Sequence, residues 1–190
     1  MLKAGHVYKQ FTLAGGKKVT LRVLRWEDLD GLLSFINGLV GEKRGNSKSI
    51  LYTGFDRKVT REEEADWLAK TLVATERGAI INMIAEIDGK IIANGEVARG
   101  RYKDTARHGH LGLTMISEYR GQGIGRRMIE TLASESRSAG LRTLDAEFLA
   151  ENEVARRTYE KAGFKQAGII PRKVFREGKY LDGLIMAKDL

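Results

Sequence analysis

Three glycines and three arginines are gathered in Arg120-Gly121-Gln122-Gly123-Ile124-Gly125-Arg126-Arg127. Before them runs an apolar stretch, Leu111 to Ile116, and after them Ile124, Met128 and Leu132 recur at helical spacing, so the segment reads as a strand-to-helix turn. A turn without β-carbons lets backbone N–H groups come close to a ligand. The first-turn amides of a helix lack partners and carry the positive end of its dipole. Such a turn can cradle an anion, phosphate above all, and Arg120, Arg126 and Arg127 supply charge suited to phosphate geometry. The competing reading is a glycine-rich turn with solvated arginines.

Two familiar phosphate loops do not fit. A P-loop needs Lys-Ser or Lys-Thr after its last glycine, and Arg126-Arg127 follow Gly125. A dinucleotide fingerprint beginning at Gly121 and Gly123 needs glycine at position 126, which is arginine. Other residues could do chemistry of their own. His108 and His110 are two apart and face one side of a strand, which raises a metal pair. With His6 the only further histidine and no acidic partner evident, the expectation is no metal. Glu96 could be an active-site carboxylate, although alternation more often puts such a residue on the solvated face. The acidic run Glu62, Glu63, Glu64 and Asp66 could attract an amine, but it reads first as a complement to a helix dipole.

The glycine turn resembles the acetyl-CoA pyrophosphate loop of the GNAT superfamily of N-acetyltransferases, Arg/Gln-x-x-Gly-x-Gly/Ala, with Arg120, Gly123 and Gly125 at its fixed positions. Downstream, Glu147, Asn152, Ala155, Tyr159, Gly163 and Phe164 match the family's strand-then-helix block. The resemblance runs from about Gly78 to Leu190 and is weaker before that. It implies acetyl-CoA bound between two parallel strands, 108 to 116 and 141 to 149. The pantetheine would pair with backbone at Leu113, Thr114 and Met115 in the manner of an added strand. The pyrophosphate would lie on the turn formed by Gly121, Gln122, Gly123, Ile124, Gly125 and Arg126, below Arg120. Asn152 would help hold the cofactor, and Arg156 would reach its phosphate. Tyr159 would be the general acid for the departing thiolate, since a phenol stays protonated at neutral pH. Glu147, five residues before Asn152, would be the base that accepts a proton from the amine, with Asp145 on the same face of its strand.

The elements that must position these residues can be read in order. Val7 to Leu13 and Lys17 to Leu24 alternate around Gly15-Gly16 and predict a hairpin. Glu27 to about Leu39 predicts an amphipathic helix. Gly41 to Lys58, with Tyr52 and Phe55, has no sustained period and predicts a loop, which the resemblance would set over the acceptor site. Thr60 and Glu63 form a capping box for a helix to about Glu76. Ile80 to Ile87 and Ile91 to Arg99 flank Asp88-Gly89 as a second hairpin. A strand from His108 to Ile116, a helix from 122 to 139 ending at Gly140 and a strand from 141 to 149 make a right-handed crossover. A helix from Glu153 to Ala162 and a closing hairpin, 164 to 175 with 179 to 187, complete the chain. On its face Asn152, Arg156 and Tyr159 align. The expected fold is α/β: a central, mostly antiparallel sheet split between two parallel strands and flanked by about four helices, in one domain spanning residues 1 to 190.

Composition narrows the classes. The chain has 190 residues, 42% hydrophobic and 31% charged, with no apolar run near the roughly 18 residues of a membrane span. Its first ten residues lack a secretory h-region, so a cytoplasmic location is the default and no membrane partner is expected. Without cysteine there is no disulfide, no thiolate metal site and no cysteine nucleophile, so acyl transfer must proceed without an enzyme thioester. The formal charge of +8 suits nucleic acid, an acidic surface or a phosphorylated cofactor. No basic run interleaved with aromatics favours a nucleic-acid domain. The leading expectation is an acetyl-CoA-dependent N-acetyltransferase acting on a protein N-terminus or a small amine, with a homodimer left open. The alternatives are an acyl-CoA-binding sensor without turnover and, behind it, a basic nucleic-acid-binding domain.

Overall fold

The computed structural model describes residues 3–44, 51 and 57–190. Their strands are β1 (Val7–Thr12), β2 (Lys18–Arg22), β3 (Ile80–Ile87), β4 (Lys90–Arg99), β5 (His108–Met115), β6 (Thr143–Leu149), β7 (Lys165–Arg176) and β8 (Lys179–Asp189). The helices are α1 (Leu29–Arg44), α2 (Arg61–Glu76), α3 (Ile124–Ser138) and α4 (Glu153–Lys161). One eight-stranded sheet forms in the order β1-β2-β3-β4-β5-β6-β8-β7. Every neighbouring pair is antiparallel except β5 and β6. This is the expected mixed architecture.

Local chemistry fixes the elements. The Thr60 hydroxyl accepts from the Glu63 amide, and the Glu63 carboxylate accepts from the Thr60 amide, so the capping box starts α2. Asp88 and Gly89 both take positive φ, the conformation a tight two-residue hairpin needs. Leu32, Phe35, Leu39, Leu68 and Leu72 pack α1 and α2 onto Ile84 and Ile91 on one face of the sheet. Ile124, Met128, Ile129 and Leu132 pack α3 onto Met83, Val97 and Leu111 on the other.

One expectation shifts and another is not reached. Helix α1 continues to Arg44, so the first residues of the predicted loop are helical. Tyr52 and Phe55 lie outside the described residues.

Alternation along β5 then divides the site. Leu111 and Met115 turn to the α3 side, and Gly109, Leu113 follow by the two-residue period, while His108, His110, Gly112 and Thr114 take the opposite face.

Candidate active site

The parallel pair at the centre of the sheet is short. His108, Gly109 and His110 pair with Thr143, Leu144 and Asp145, and the register goes no further. Beyond it β5 continues paired with β4, up to Met115 opposite Ala93, and β6 continues paired with β8, up to Leu149 opposite Gly183. The two strands therefore splay, and each leaves one backbone edge unpaired inside the sheet. A cavity of about 840 Å³ occupies the opening, with Leu113, Thr114 and Met115 on one wall and Glu147 and Phe148 on the other. An open strand edge facing a cavity is a template for an extended ligand carrying amide groups.

The glycine turn closes one end. Gly121 and Gly123 take φ of 76° and 79°, and Gly123 is the N-cap of α3. An L side chain would be strained at either position. The first helical backbone bond runs from the Arg127 amide to the Gly123 carbonyl. None of the amides of residues 121–126 donates to a partner among the described residues. Six unsatisfied N–H groups at the positive end of a 15-residue helix form the cradle that the spacing predicts.

Of the three arginines expected at the cofactor, Arg120 and Arg126 line the cavity and Arg156 does not. The Arg120 guanidinium pairs with Glu42 at 2.6 and 3.1 Å and donates to the Met115 carbonyl at 2.6 and 3.0 Å. It braces the turn against α1, whose extra length brings Glu42 there. Gln122 donates its side-chain amide to the Glu118 carbonyl, which leaves its backbone N–H in the cradle. Arg126 lines the cavity and pairs with Glu130. Arg156 is not among the lining residues; its guanidinium goes to Glu160 and to Gln166 of β7. Val154, Ala155, Arg157, Thr158, Tyr159 and Lys161 are the residues of α4 that line the cavity, and neither Arg157 nor Lys161 has an ion pair among the described residues. Helix phase thus substitutes Arg157 for Arg156. The spacing 154, 157, 158, 161 could have revealed it.

Asn152 caps α4 through Oδ1, which accepts from the Ala155 amide at 3.0 Å, and it also lines the cavity. Tyr159 is 5% exposed, stacked on Phe148 at 5.2 Å and set edge-on to Phe164 at 5.1 Å. Its hydroxyl makes no hydrogen bond among the described residues. Burial, with the Asp145 charge added, holds its pKa above the ordinary phenol range. Glu147 lies across the gap with its side chain 17% exposed. Its Oε1 is out of solvent and makes no hydrogen bond among the described residues; Lys173 Nζ approaches to 3.5 Å, a Coulombic contact without hydrogen-bond geometry.

Glu96 of β4 lines the same cavity, and burial raises its carboxyl pKa against the opposing pull of His110. The two histidines do have an acidic partner. Asp145 Oδ1 is 2.8 Å from His108 Nε2, and Asp145 Oδ2 is 2.9 Å from His110 Nδ1. The sequence reading missed it because the parallel register of β5 and β6, set by the crossover, is what brings residues 35 apart into contact. Among the described residues no group of three or more His, Cys, Asp or Glu is arranged to hold a metal.

A sheet opened between two parallel strands, with an amide cradle at a helix N-terminus on one side of the opening, defines the class of the acyl-CoA N-acyltransferases. The model of the Acetyltransferase (GNAT) family matches residues 48–164, and the chain belongs to that family. It is an acetyltransferase. YwnH of Bacillus subtilis (strain 168), named as a phosphinothricin acetyltransferase, is 22% identical over 176 residues, covering 90% of this chain and 99% of its own. The ribosomal-protein-alanine N-acetyltransferase of Brucella melitensis shares the fold at a TM-score of 0.75 and 24% identity, over 90% of this chain and 99% of that one. YncA of Salmonella typhimurium, solved with acetyl-CoA, does so at a TM-score of 0.75 and 18% identity, over 90% and 94%.

Proposed function

We propose that residues 1–190 form one N-acetyltransferase domain that moves an acetyl group from acetyl-CoA directly to a primary amine within a ternary complex. The observation that carries this reading is an edge of β5, unpaired among the described residues, that leads into six amides without a partner among them at the start of α3. The edge at Leu113, Thr114 and Met115 suits the amides of pantetheine. The amides of residues 121–126, with Arg126, Arg157 and Lys161 nearby, suit the pyrophosphate. Asn152 and the braced turn at Arg120 hold the frame.

The acceptor enters from the face of α1 and α2, where Glu147 takes a proton from its ammonium. Tyr159 then protonates the sulfur as the C–S bond breaks. The acceptor is an amine on a protein N-terminus or a small molecule; the likeness to a ribosomal-protein-alanine enzyme and to a protein named for phosphinothricin supports both classes. Among the described residues no helix is long and apolar enough to cross a membrane.

The test is acetyl-CoA turnover against a panel of amines and N-terminal peptides, with Glu147→Gln alongside. The wild type should release CoA with at least one acceptor. Glu147→Gln should lose most of its rate at pH 7, keep its acetyl-CoA affinity and recover as rising pH supplies deprotonated amine. A protein that binds acetyl-CoA and turns over no amine would be a sensor instead.

A further inference from the structure

The transfer reaction uses Glu147 but gives no task to His108, His110 and Asp145 beside it on the acceptor face. His110 stands opposite Asp145 in the last parallel pair of β5 and β6, and opposite Ala98 on β4. Glu147 and Glu96 lie two residues further along the same face on either side. His110 is therefore flanked by carboxylates from both neighbouring strands. His108 lies beyond Asp145, and Lys173 of β7 lies on Glu147.

The hydrogen bonds set the imidazole's tautomer. The Asp145 carboxyl would be pushed up by burial, but the hydrogen bond and charge of His110, with those of His108, hold it below the usual range, so it is ionised and only accepts. Nδ1–H of His110 and Nε2–H of His108 must both donate to it. In neutral His110 this leaves the Nε2 lone pair as the free proton acceptor, the arrangement by which a carboxylate orients a general base. Neutral His108 in turn accepts at Nδ1 from the Thr143 hydroxyl, 2.9 Å away. The His110 side chain lines the cavity and is also 53% exposed, so it touches both the reaction space and water.

We propose that His110 is the outlet through which the proton released by the acceptor leaves the cavity, with Asp145 as its positioning residue. This rests on the acetyltransferase reading above. An ammonium and a thioester yield an amide, a thiol and one proton. The ammonium gives its first proton to Glu147, which passes it to His110 Nε2 and on to water. The resulting amine forms the C–N bond, and the C–S bond breaks. Sulfur takes a proton from Tyr159, and the second nitrogen proton restores the phenol.

The hydrogen bond to Asp145, opposed by burial and aided by the charges of Asp145, Glu147 and Glu96, raises the His110 pKa. Protonated His110 cannot accept, so kcat should rise with pH on a limb above that of free imidazole. Three proteins, the wild type, His110→Ala and Asp145→Asn, test this by kcat against pH, calorimetric acetyl-CoA affinity and addition of imidazole. His110→Ala should lose roughly a hundredfold in kcat at pH 7, the scale of one proton-transfer group. It should keep its acetyl-CoA affinity, lose the limb and regain rate with imidazole. Asp145→Asn keeps an acceptor for Nδ1–H without the charge, so its limb should move to lower pH. An active wild type whose His110→Ala retains both rate and limb, or whose lost rate imidazole does not restore, overturns the inference alone. A wild type that turns over no amine overturns the underlying reading and the inference with it.

Discussion

Tyr159, the proposed acid, sits in an apolar setting. Its ring is clamped by Phe148 and Phe164, and burial keeps the phenol protonated well past neutral pH. A phenol held above its ordinary range does not surrender a proton to a resting thioester. It shares one as charge builds on the sulfur, when a hydrogen bond to the developing anion is strongest. Tyr159→Phe removes that proton and little else, because the ring contacts remain and the hydroxyl has no hydrogen bond to lose among the described residues. Turnover should fall by about a hundredfold, while the melting temperature and acetyl-CoA affinity stay near wild type. Steady-state rates beside calorimetry check this, and a loss within a few-fold would pass the role to water.

At the scale of elements, the strand-turn-helix unit from β5 into α3 is the proposed cofactor end, and Gly125 is its most telling position. It lies in the first turn of α3 and lines the cavity. A Cβ there would sit 3.6 Å from Leu113 Cδ2 and 3.8 Å from Thr158 Cγ2, ordinary contact distances. Gly125→Ala should therefore fold well and gain up to about 1 kcal/mol from helix propensity, visible as a higher denaturation midpoint. Its methyl group narrows the gap where the ligand must pass, so acetyl-CoA affinity should drop. A variant more stable and equally tight would show that the ligand does not approach the turn there.

This unit was legible in the sequence because its information is local: glycines where φ is positive and apolar residues at helical spacing, just as the capping box at Thr60 marked the start of α2. Hairpin boundaries fell within a few residues for the same reason. Phase and pairing were not legible. Whether Arg156 or Arg157 faces the cavity depends on a rotation of about 100° per residue, which packing of α4 sets. Glu42 on Arg120 and Asp145 between two histidines are contacts between distant segments, fixed by helix length and parallel register. Glu96 read as solvated because alternation gives its face but not what covers that face.

Across the whole molecule, the sheet is two sub-sheets, β1 to β5 and β6 to β8, joined in the ladder by the three residue pairs at His108, Gly109 and His110. Gly109 is the hinge of the opening. A Cβ on it would come within 2.5 Å of Leu141 Cδ2 and Val97 Cγ1 and 3.0 Å of Leu144 Cδ2, all buried. Gly109→Ala must shift these side chains or the strands beside β5 that carry them, at a cost of about 1–3 kcal/mol for overpacking. In a chain this long each kcal/mol lowers the melting temperature by about 2–4 °C. Gly109 does not line the cavity, so any change in acetyl-CoA affinity must come through the angle of the gap. Val19→Ala, in a fully buried site on β2, is the control. Both variants should melt earlier, but only Gly109→Ala should bind acetyl-CoA more weakly. Saturating acetyl-CoA, at about a hundred times Kd, should add about 2.7 kcal/mol of stability to the wild type and less to Gly109→Ala at the same concentration. Thermal melts with and without acetyl-CoA, paired with calorimetry, read both quantities. Wild-type affinity in a destabilised Gly109→Ala would mean that the helices, not the hinge, set the width of the gap.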